Sequence, residues 1–346
     1  MTGTMKAIVK EKPEPGAVYR EDVPIPQIGD NDVLVKIKAA AICGTDQHIL
    51  PWSPWAQARL KLPMVFGHEI AGEIVEVGSA VRRFNVGDRV AVETHIPCNK
   101  CYQCQTGNQH ICENMLIVGV HVAGTFAEYA SIPQDCIWKV DDAIDWDIAC
   151  MLEPMGVAVH GVFAADCGMK NVLILGCGPI GAMAVGAAKM AGAKNVFVVD
   201  IFDDKLALGK KMGADYTFNS KTQDYIAEVR KLTDGRGADV VIDYTGNAKV
   251  VAASFDALAL GGQFTIVGLC NDLITLDLTK AIVYREATVV GVTGRLMYKT
   301  WWQCTALLKA GMDIRPIIGG KYAMKDYQQA FDALTAGAPG KMLLIP

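Results

Sequence analysis

Apolar and polar side chains alternate along Val33–Lys38, Ile70–Val77 and Asp88–Val92. That is the pattern of strands with one face on a core and one face in water. Gly78 and Gly87 punctuate these runs as turn signals. Short strands at this spacing predict a small barrel or sandwich over the first 150 or so residues. Near residue 170 the pattern changes. Val172–Leu175 and Val196–Val199 are continuous apolar runs, as expected of strands buried on both faces. Helical stretches separate them: Pro179–Ala191, Asp203–Met212, Gln223–Leu232 and Lys249–Leu260. Further strands are read at Tyr216–Phe218, Val240–Tyr244, Gln263–Val267 and Ala287–Val292. Six strands with helical crossovers predict a doubly wound parallel sheet, so the chain is α/β. Beyond it, Thr300–Ala310 reads as a helix. Met342–Ile345 reads as a terminal strand that returns to the first sheet.

Length fits this two-part picture. At about 150 residues per domain, 346 residues suggest two domains. A formal net charge of −4 with no Lys/Arg cluster argues against nucleic acid as a partner and leaves a small-molecule substrate. The apolar runs are broken well short of the roughly 18 residues of a membrane span, and the start lacks the charged-then-apolar pattern of a signal peptide. A soluble cytoplasmic protein is the expectation. Eleven cysteines, an odd number, do not suggest a closed disulfide framework.

Gly176, Gly178 and Gly181 fit G-x-G-x-x-G between a predicted strand and a predicted helix, the context in which this motif binds a dinucleotide. The first glycine permits the tight turn and the second lets backbone approach a pyrophosphate. The third lets the helix pack close to the strand, and the helix N-terminus favours anions. Asp200 ends the next strand. A carboxylate there accepts from ribose hydroxyls and repels a 2′-phosphate, favouring NAD over NADP. Lys205 either reaches the ribose edge or lies on the helix surface.

Cys98, Cys101, Cys104 and Cys112 crowd one loop, with Gly107 allowing the return turn. Four thiolates close a tetrahedron around zinc and leave no open position, so such a zinc is structural. An iron–sulfur cluster or unligated thiols are the alternatives. A second group, Cys43, Thr45, His48, His68 and Glu69, suits a catalytic zinc with one open position. Glu69 reads either as a ligand or as a carboxylate one step behind the ligands. The Thr45 hydroxyl and His48 suit a proton relay from an alcohol to solvent. Each of these residues alone would read as an ordinary core thiol or satisfied polar group; occurring together upstream of the Cys₄ loop and glycine motif, they point to alcohol oxidation.

The order of Cys43–His48, Gly67–Glu69, Gly87–Val90, the four-cysteine lobe and Gly176–Gly181 resembles the zinc-containing medium-chain dehydrogenase/reductase family over essentially the whole chain. The resemblance implies a GroES-like β-rich catalytic domain over 1–155, a Rossmann domain over 156–296 and a return to the catalytic domain over 297–346. It implies two zinc ions per subunit, NAD, and a homotetramer in which Ala287–Val292 pairs between subunits. Cys43, His68 and Glu69 are implied as ligands, and Thr45 and His48 as the relay. Glu153 is implied as a carboxylate that approaches the zinc or tunes that relay. Ile180, Val267, Gly268, Leu269, Val292 and Thr293 are implied at the cofactor, beside the glycines, Asp200 and Lys205. Where Lys205 stands, relatives often carry Arg; Lys keeps the charge and loses the bidentate fork.

Within the family, Ala41–His48 with Trp52 and Trp55, Leu62–Glu69, Glu93–Cys98 and Gly294–Arg295 with Met297, Thr300 and Trp301 are most similar to members acting on L-threonine. The chemistry so implied is oxidation of its C3 hydroxyl by NAD to 2-amino-3-ketobutyrate, with His95 and Arg295 at the substrate and Trp52 and Trp55 as weaker candidates for the pocket wall. The alternatives are NAD-dependent oxidation of a neutral diol or polyol, and an NAD-binding protein with structural zinc alone.

Overall fold

In the computed structural model, which describes all 346 residues, the run around Val33 becomes a ten-residue strand, Asp32–Ala41. Glu69–Val77 runs antiparallel along one edge of it, with Ala41 opposite Glu69 and Val33 opposite Val77. The other edge is shared. Tyr129–Pro133 faces residues 32–36, while Leu343 and Leu344 of the terminal strand Lys341–Ile345 face Ala41 and Ala40. Arg89–Val92, Ile137–Lys139 and Ile318–Ala323 complete a seven-stranded sheet. Val18–Pro24, Thr4–Lys10 and Met64–Val65 form a further three-stranded sheet. Ile8, Val35, Phe66, Ile70, Phe126 and Leu344 meet in one apolar core. The predicted return of the chain end to the first sheet is therefore observed.

The chain divides into two units, residues 1–153 with 318–346, and residues 154–317. The sequence places the final return at 297; the structure places it at Ile318. Residues 297–317 stay with the second unit because the helix Lys299–Lys309 buries Trp301, Cys304 and Leu307 there. An amphipathic helix shows that it needs a core, not which core.

The second unit holds a six-stranded parallel sheet. Its order is Tyr216–Asn219, Asn195–Asp200, Asn171–Leu175, Ala238–Asp243, Leu258–Ile266, Thr288–Gly291. That is the doubly wound order, in which the sequence order of the parallel strands switches sides beside Asn171–Leu175. Val172, Leu173, Ile174 and Leu175 have no exposed surface, which explains their unbroken apolar run.

One predicted helix runs too far. Lys249–Leu260 is helical only as Ala248–Ser254, followed by a 3₁₀ turn over Phe255–Ala257. Leu258 already pairs with Ala238 as sheet. A short apolar run such as Leu258–Leu260 fits either state, and pairing to a neighbouring strand decides it. Helices Leu152–Phe163 and Tyr327–Thr335 are present without having been predicted. No helix is long and apolar enough to cross a membrane.

Candidate active site and metal centres

The register of the first sheet builds the first centre. Ala41 faces Glu69, so Cys43, just past the end of one strand, meets His68 and Glu69 at the start of the other. One ligand atom from each of Cys43, His68 and Glu69 lies within 4.8 Å of the others. Gly67 turns the chain at φ +86°, and a Cβ there would fall 2.4 Å from the Phe126 ring. No other residue fits that bend.

Asp46, fully buried, accepts from the Cys43 N–H at 2.8 Å and so pins the loop that carries the thiol. Its other oxygen lies 4.0 Å from His68 Nδ1, and neither of these two buried atoms has a hydrogen-bond partner. Burial works against a charge on His68. The neighbouring Cys43, through charge and a side-chain hydrogen bond, with Asp46 and Glu153, outweighs it, and the imidazole is pushed up to about 10. A cysteine sulfur and several carboxylates thus surround a buried histidine. That donor set, with an orphaned ring nitrogen, fits a divalent cation of the zinc type.

Glu153 is 6% exposed, at the second position of Leu152–Phe163, and adds negative potential at His68, Glu69 and Asp46. Lys341 answers it. Its Nζ donates to both Glu69 oxygens and to the Ile42 carbonyl at 3.0 Å. Burial lowers the ammonium's affinity for its proton, Glu69 together with Cys43 and Glu153 more than restores it, and the net direction is up. The sequence reading names neither Asp46 nor Lys341. Asp46 had a signal, an aspartate three residues after Cys43, where a side chain caps a turn. Lys341 had a weaker one, the single charge in an otherwise apolar strand.

Thr45 precedes the short helix Asp46–Ile49, with its Oγ1 3.7 Å from Cys43 Sγ. His48 lies three residues on and is exposed, with its ring centroid 6.1 Å from that of Trp55. Thr45 and His48 therefore share a helical face. Trp52 and Trp55 pack partly buried against the core, with Lys10 and Arg59 over their rings. His95 opens the two-residue strand His95–Ile96, and its ring meets Glu93. Arg295 belongs to the second unit, where it is 1% exposed and lies over Gly156 and 5.9 Å from the Trp301 ring.

The four lobe cysteines are brought together. Their sulfurs lie within 4.8 Å of one another, with Cys101 and Cys104 3.5 Å apart. This is far beyond the roughly 2.05 Å of a disulfide. The Cys98 and Asn114 N–H groups both donate to Cys112 Sγ. The Lys100 N–H is the main cause that lowers the Cys98 thiol to about 6. Donors aimed at thiolates are what a closed metal–thiolate site requires, so the residues fit zinc. Gly107 turns at φ +83° between the third and fourth sulfurs.

The glycine motif sits at the carboxyl end of Asn171–Leu175. Gly176 has φ +87°, and a Cβ on Gly181 would fall 1.9 Å from the Gly176 carbonyl. A Cβ on Gly178 would meet nothing within 4 Å. Gly176 and Gly181 thus serve the protein's own packing, while Gly178 faces open space at the N-terminus of Pro179–Met190. This cradle fits a pyrophosphate. Asp200 accepts from the N–H groups of Cys177, Ile201 and Phe202. A carboxylate offers about four acceptor positions, so one remains for a ribose hydroxyl. Lys205 Nζ lies 4.8 Å above the Phe202 ring. Val267, Gly268 and Leu269 follow Leu258–Ile266, and Val292 and Thr293 follow Thr288–Gly291, all at the same carboxyl edge. Val267 and Val292 are buried; Leu269 is exposed.

Models of two families match this chain: the alcohol dehydrogenase GroES-like domain over residues 29–142, and the zinc-binding dehydrogenase domain over residues 179–310. An L-threonine 3-dehydrogenase of Caldanaerobacter subterraneus subsp. tengcongensis is 42% identical over 349 residues, covering 100% of both chains. Among solved structures, galactitol-1-phosphate dehydrogenase from Escherichia coli is 29% identical with a TM-score of 0.91, covering 99% of this chain and 100% of that one. A putative zinc-binding dehydrogenase from Sinorhizobium meliloti 1021, bound to NADP, is also 29% identical with a TM-score of 0.91, covering 99% of each chain.

Proposed function

The chain belongs to the zinc-binding alcohol dehydrogenase family, and on that footing we propose that it oxidises the C3 hydroxyl of L-threonine to 2-amino-3-ketobutyrate with NAD. The full-length 42% identity to an L-threonine 3-dehydrogenase carries this reading. Cys43, His68 and Glu69 hold one zinc, and Cys98, Cys101, Cys104 and Cys112 hold a second. Zinc at the first centre supplies a Lewis acid that eases loss of an alcohol proton, and NAD supplies the hydride acceptor.

The chain's own residues do the rest. Asp46 and Lys341 fix the loop and the carboxylate at the first centre, and Glu153 sets the local potential. Thr45 Oγ1 takes the proton of the substrate hydroxyl as its own passes to His48. His48, exposed on the next helical turn, gives a proton to solvent. Gly176, Gly178, Ile180 and Gly181 cradle the pyrophosphate. Asp200 and Lys205 hold the adenosine ribose, and Asp200 excludes a 2′-phosphate. Val267, Gly268, Leu269, Val292 and Thr293 line the remainder of the cofactor site. His95 and Arg295 contact the substrate.

The enzyme works in the cytoplasm as a homotetramer. In support, the outer edge of Thr288–Gly291 has no partner strand within the chain, and Val289 on it is 40% exposed.

The test is NADH formation by the zinc-loaded protein with L-threonine, D-threonine, L-serine, 2,3-butanediol and sorbitol, each with NAD and NADP. Preference for L-threonine with NAD is the expected outcome. Preference for a diol or polyol replaces the substrate and keeps the metal centres and relay. The structural likeness to galactitol-1-phosphate dehydrogenase is the observation that favours this second reading.

A further inference from the structure

A cavity of about 410 Å³ opens in the second unit at the amino ends of two of its parallel strands, Ala238–Asp243 and Leu258–Ile266. Arg230, Arg236 and Arg285 line it, with Asp239 and Leu260. The arginines come from three places: the helix Tyr225–Leu232, the turn after it, and the segment leading into Thr288–Gly291. No basic run marks them in the sequence. The fold collects them on a chain whose formal net charge is −4.

Their charge is only partly answered. Arg230 donates from Nε to the Asp256 carbonyl at 2.8 Å and from a terminal nitrogen to the Gly235 carbonyl at 2.9 Å, both neutral acceptors. Arg236 has the Asp239 carboxylate at 3.9 Å, too long for a hydrogen bond, and its side chain is 61% exposed. Arg285 gives one terminal nitrogen to the Leu258 carbonyl at 2.8 Å and the other to Asp256 Oδ1 at 3.1 Å. Its side chain is 12% exposed, and its buried Nε has no hydrogen-bond partner. Nε–H and a terminal N–H together form one edge of a guanidinium fork, which suits two oxygens of a single oxyanion. Asp256 answers one of those two donors on Arg285, and it also lies 3.5 Å from Lys280 Nζ. Four cations thus meet two carboxylates.

We propose that this cavity is a second ligand site, which takes a dianionic phosphoryl group, free or as the ester of a small metabolite. Planar forks with unused donors match phosphate oxygens in geometry and in charge. The volume falls within the roughly 300–1,000 Å³ of small-molecule pockets. Leu260, 76% exposed, offers apolar surface to the organic part of an ester. The site is separate from that of the dinucleotide. Asp239 stands near the start of Ala238–Asp243, while the carbonyl of Asp243 accepts from the Val267 and Gly268 N–H groups at the cofactor edge. Four residue steps, roughly 13 Å of strand, lie between them. Occupancy of this cavity is independent of which alcohol the enzyme oxidises.

The experiment uses the holoenzyme saturated with NADH, so that the dinucleotide site is filled. It is titrated by calorimetry with phenyl phosphate, inorganic phosphate and benzoate at about pH 7.5, where a phosphate ester is mostly dianionic. Phenyl phosphate should bind once per chain with a Kd below about 1 mM. Benzoate should bind at least about 10-fold more weakly, as for loss of charge-assisted hydrogen bonds. Tighter binding of phenyl phosphate than of inorganic phosphate supports an ester as the occupant, and equal binding supports the free anion. Arg236→Gln and Leu260→Glu alter exposed side chains, so melting temperature and turnover should hold. Arg236→Gln should weaken phenyl phosphate about 10-fold. Leu260→Glu puts a carboxylate at the cavity and should weaken it at least as much. Three results overturn the proposal: no heat with phenyl phosphate up to about 10 mM, benzoate binding equally well, or unchanged affinity in either variant, which would place the anion elsewhere.

Discussion

Lys341 Nζ sits 2.5 and 2.6 Å from the two carboxylate oxygens of Glu69, a partner 272 positions earlier in the chain. Both side chains are almost wholly buried, at 6% and 1% exposure. The third ammonium donor goes to Ile42, so all three are used. The last strand thus closes the sheet and neutralises a carboxylate of the metal centre at once. Removing one member of such a pair strands the other charge, at a cost of about 3–5 kcal/mol. Lys341→Met should lower stability by that order, read from urea unfolding, and weaken zinc retention at the first centre. Unchanged stability and zinc content would show that Glu69 does not depend on Lys341.

The two glycines of the dinucleotide turn should behave differently. Gly181→Ala drives a methyl into the Gly176 carbonyl, so thermal stability and NAD affinity should both fall. Gly178→Ala meets no protein atom. It should fold with an unchanged melting temperature and bind NAD at least about 10-fold more weakly, a loss of roughly 1.4 kcal/mol. Equal melting losses in both variants would contradict this division.

Zinc content should separate the two centres. Metal analysis of the purified protein should find two zinc ions per chain. Cys43→Ser should lose one and all turnover while the fold stays intact. Cys104→Ser should lose the other and expose the lobe over 98–112 to proteolysis. One zinc in the unaltered protein, or loss of both from a single cysteine change, is the result that refutes two independent sites.

Thr45→Val keeps the size and removes the hydroxyl. It should lower kcat by about 10²- to 10⁴-fold, as for loss of a proton-transfer group, with zinc content and NAD affinity retained. Thr45→Ser should restore most of the rate. A fully active valine variant would remove Thr45 from the relay.

Asp88 gives a pH test away from both centres. Burial pushes its carboxyl up, but the Lys139 ammonium at 2.5 Å and the Asn85 N–H outweigh it and hold it below the ordinary aspartate range. A carboxyl with a depressed folded pKa stabilises the protein above its unfolded value, and that contribution disappears as pH falls through the folded one. Asp88→Asn should therefore flatten the fall in urea midpoint between about pH 5 and pH 3. An identical slope in the variant would assign the acid sensitivity elsewhere.

Local spacing was enough for what lies close together in sequence. The four lobe cysteines span residues 98–112, and the strand–glycine–helix unit spans 171–190. In both, a short loop leaves little freedom in how the groups meet, so residue type and interval already carry the chemistry. The unbroken apolar strands likewise announced a sheet covered on both faces. Tertiary pairing decided the rest. Cys43 meets Glu69 only because Ala41 and Glu69 are in register, and Lys341 arrives only because Leu343 pairs with Ala41. Glu93 is indistinguishable in sequence from a surface carboxylate until the fold buries it against His95. The helix Lys299–Lys309 carries an apolar face that either unit would accept. Periodicity reports that a side chain seeks a core; the partner it finds there depends on long-range register, to which a local pattern is blind.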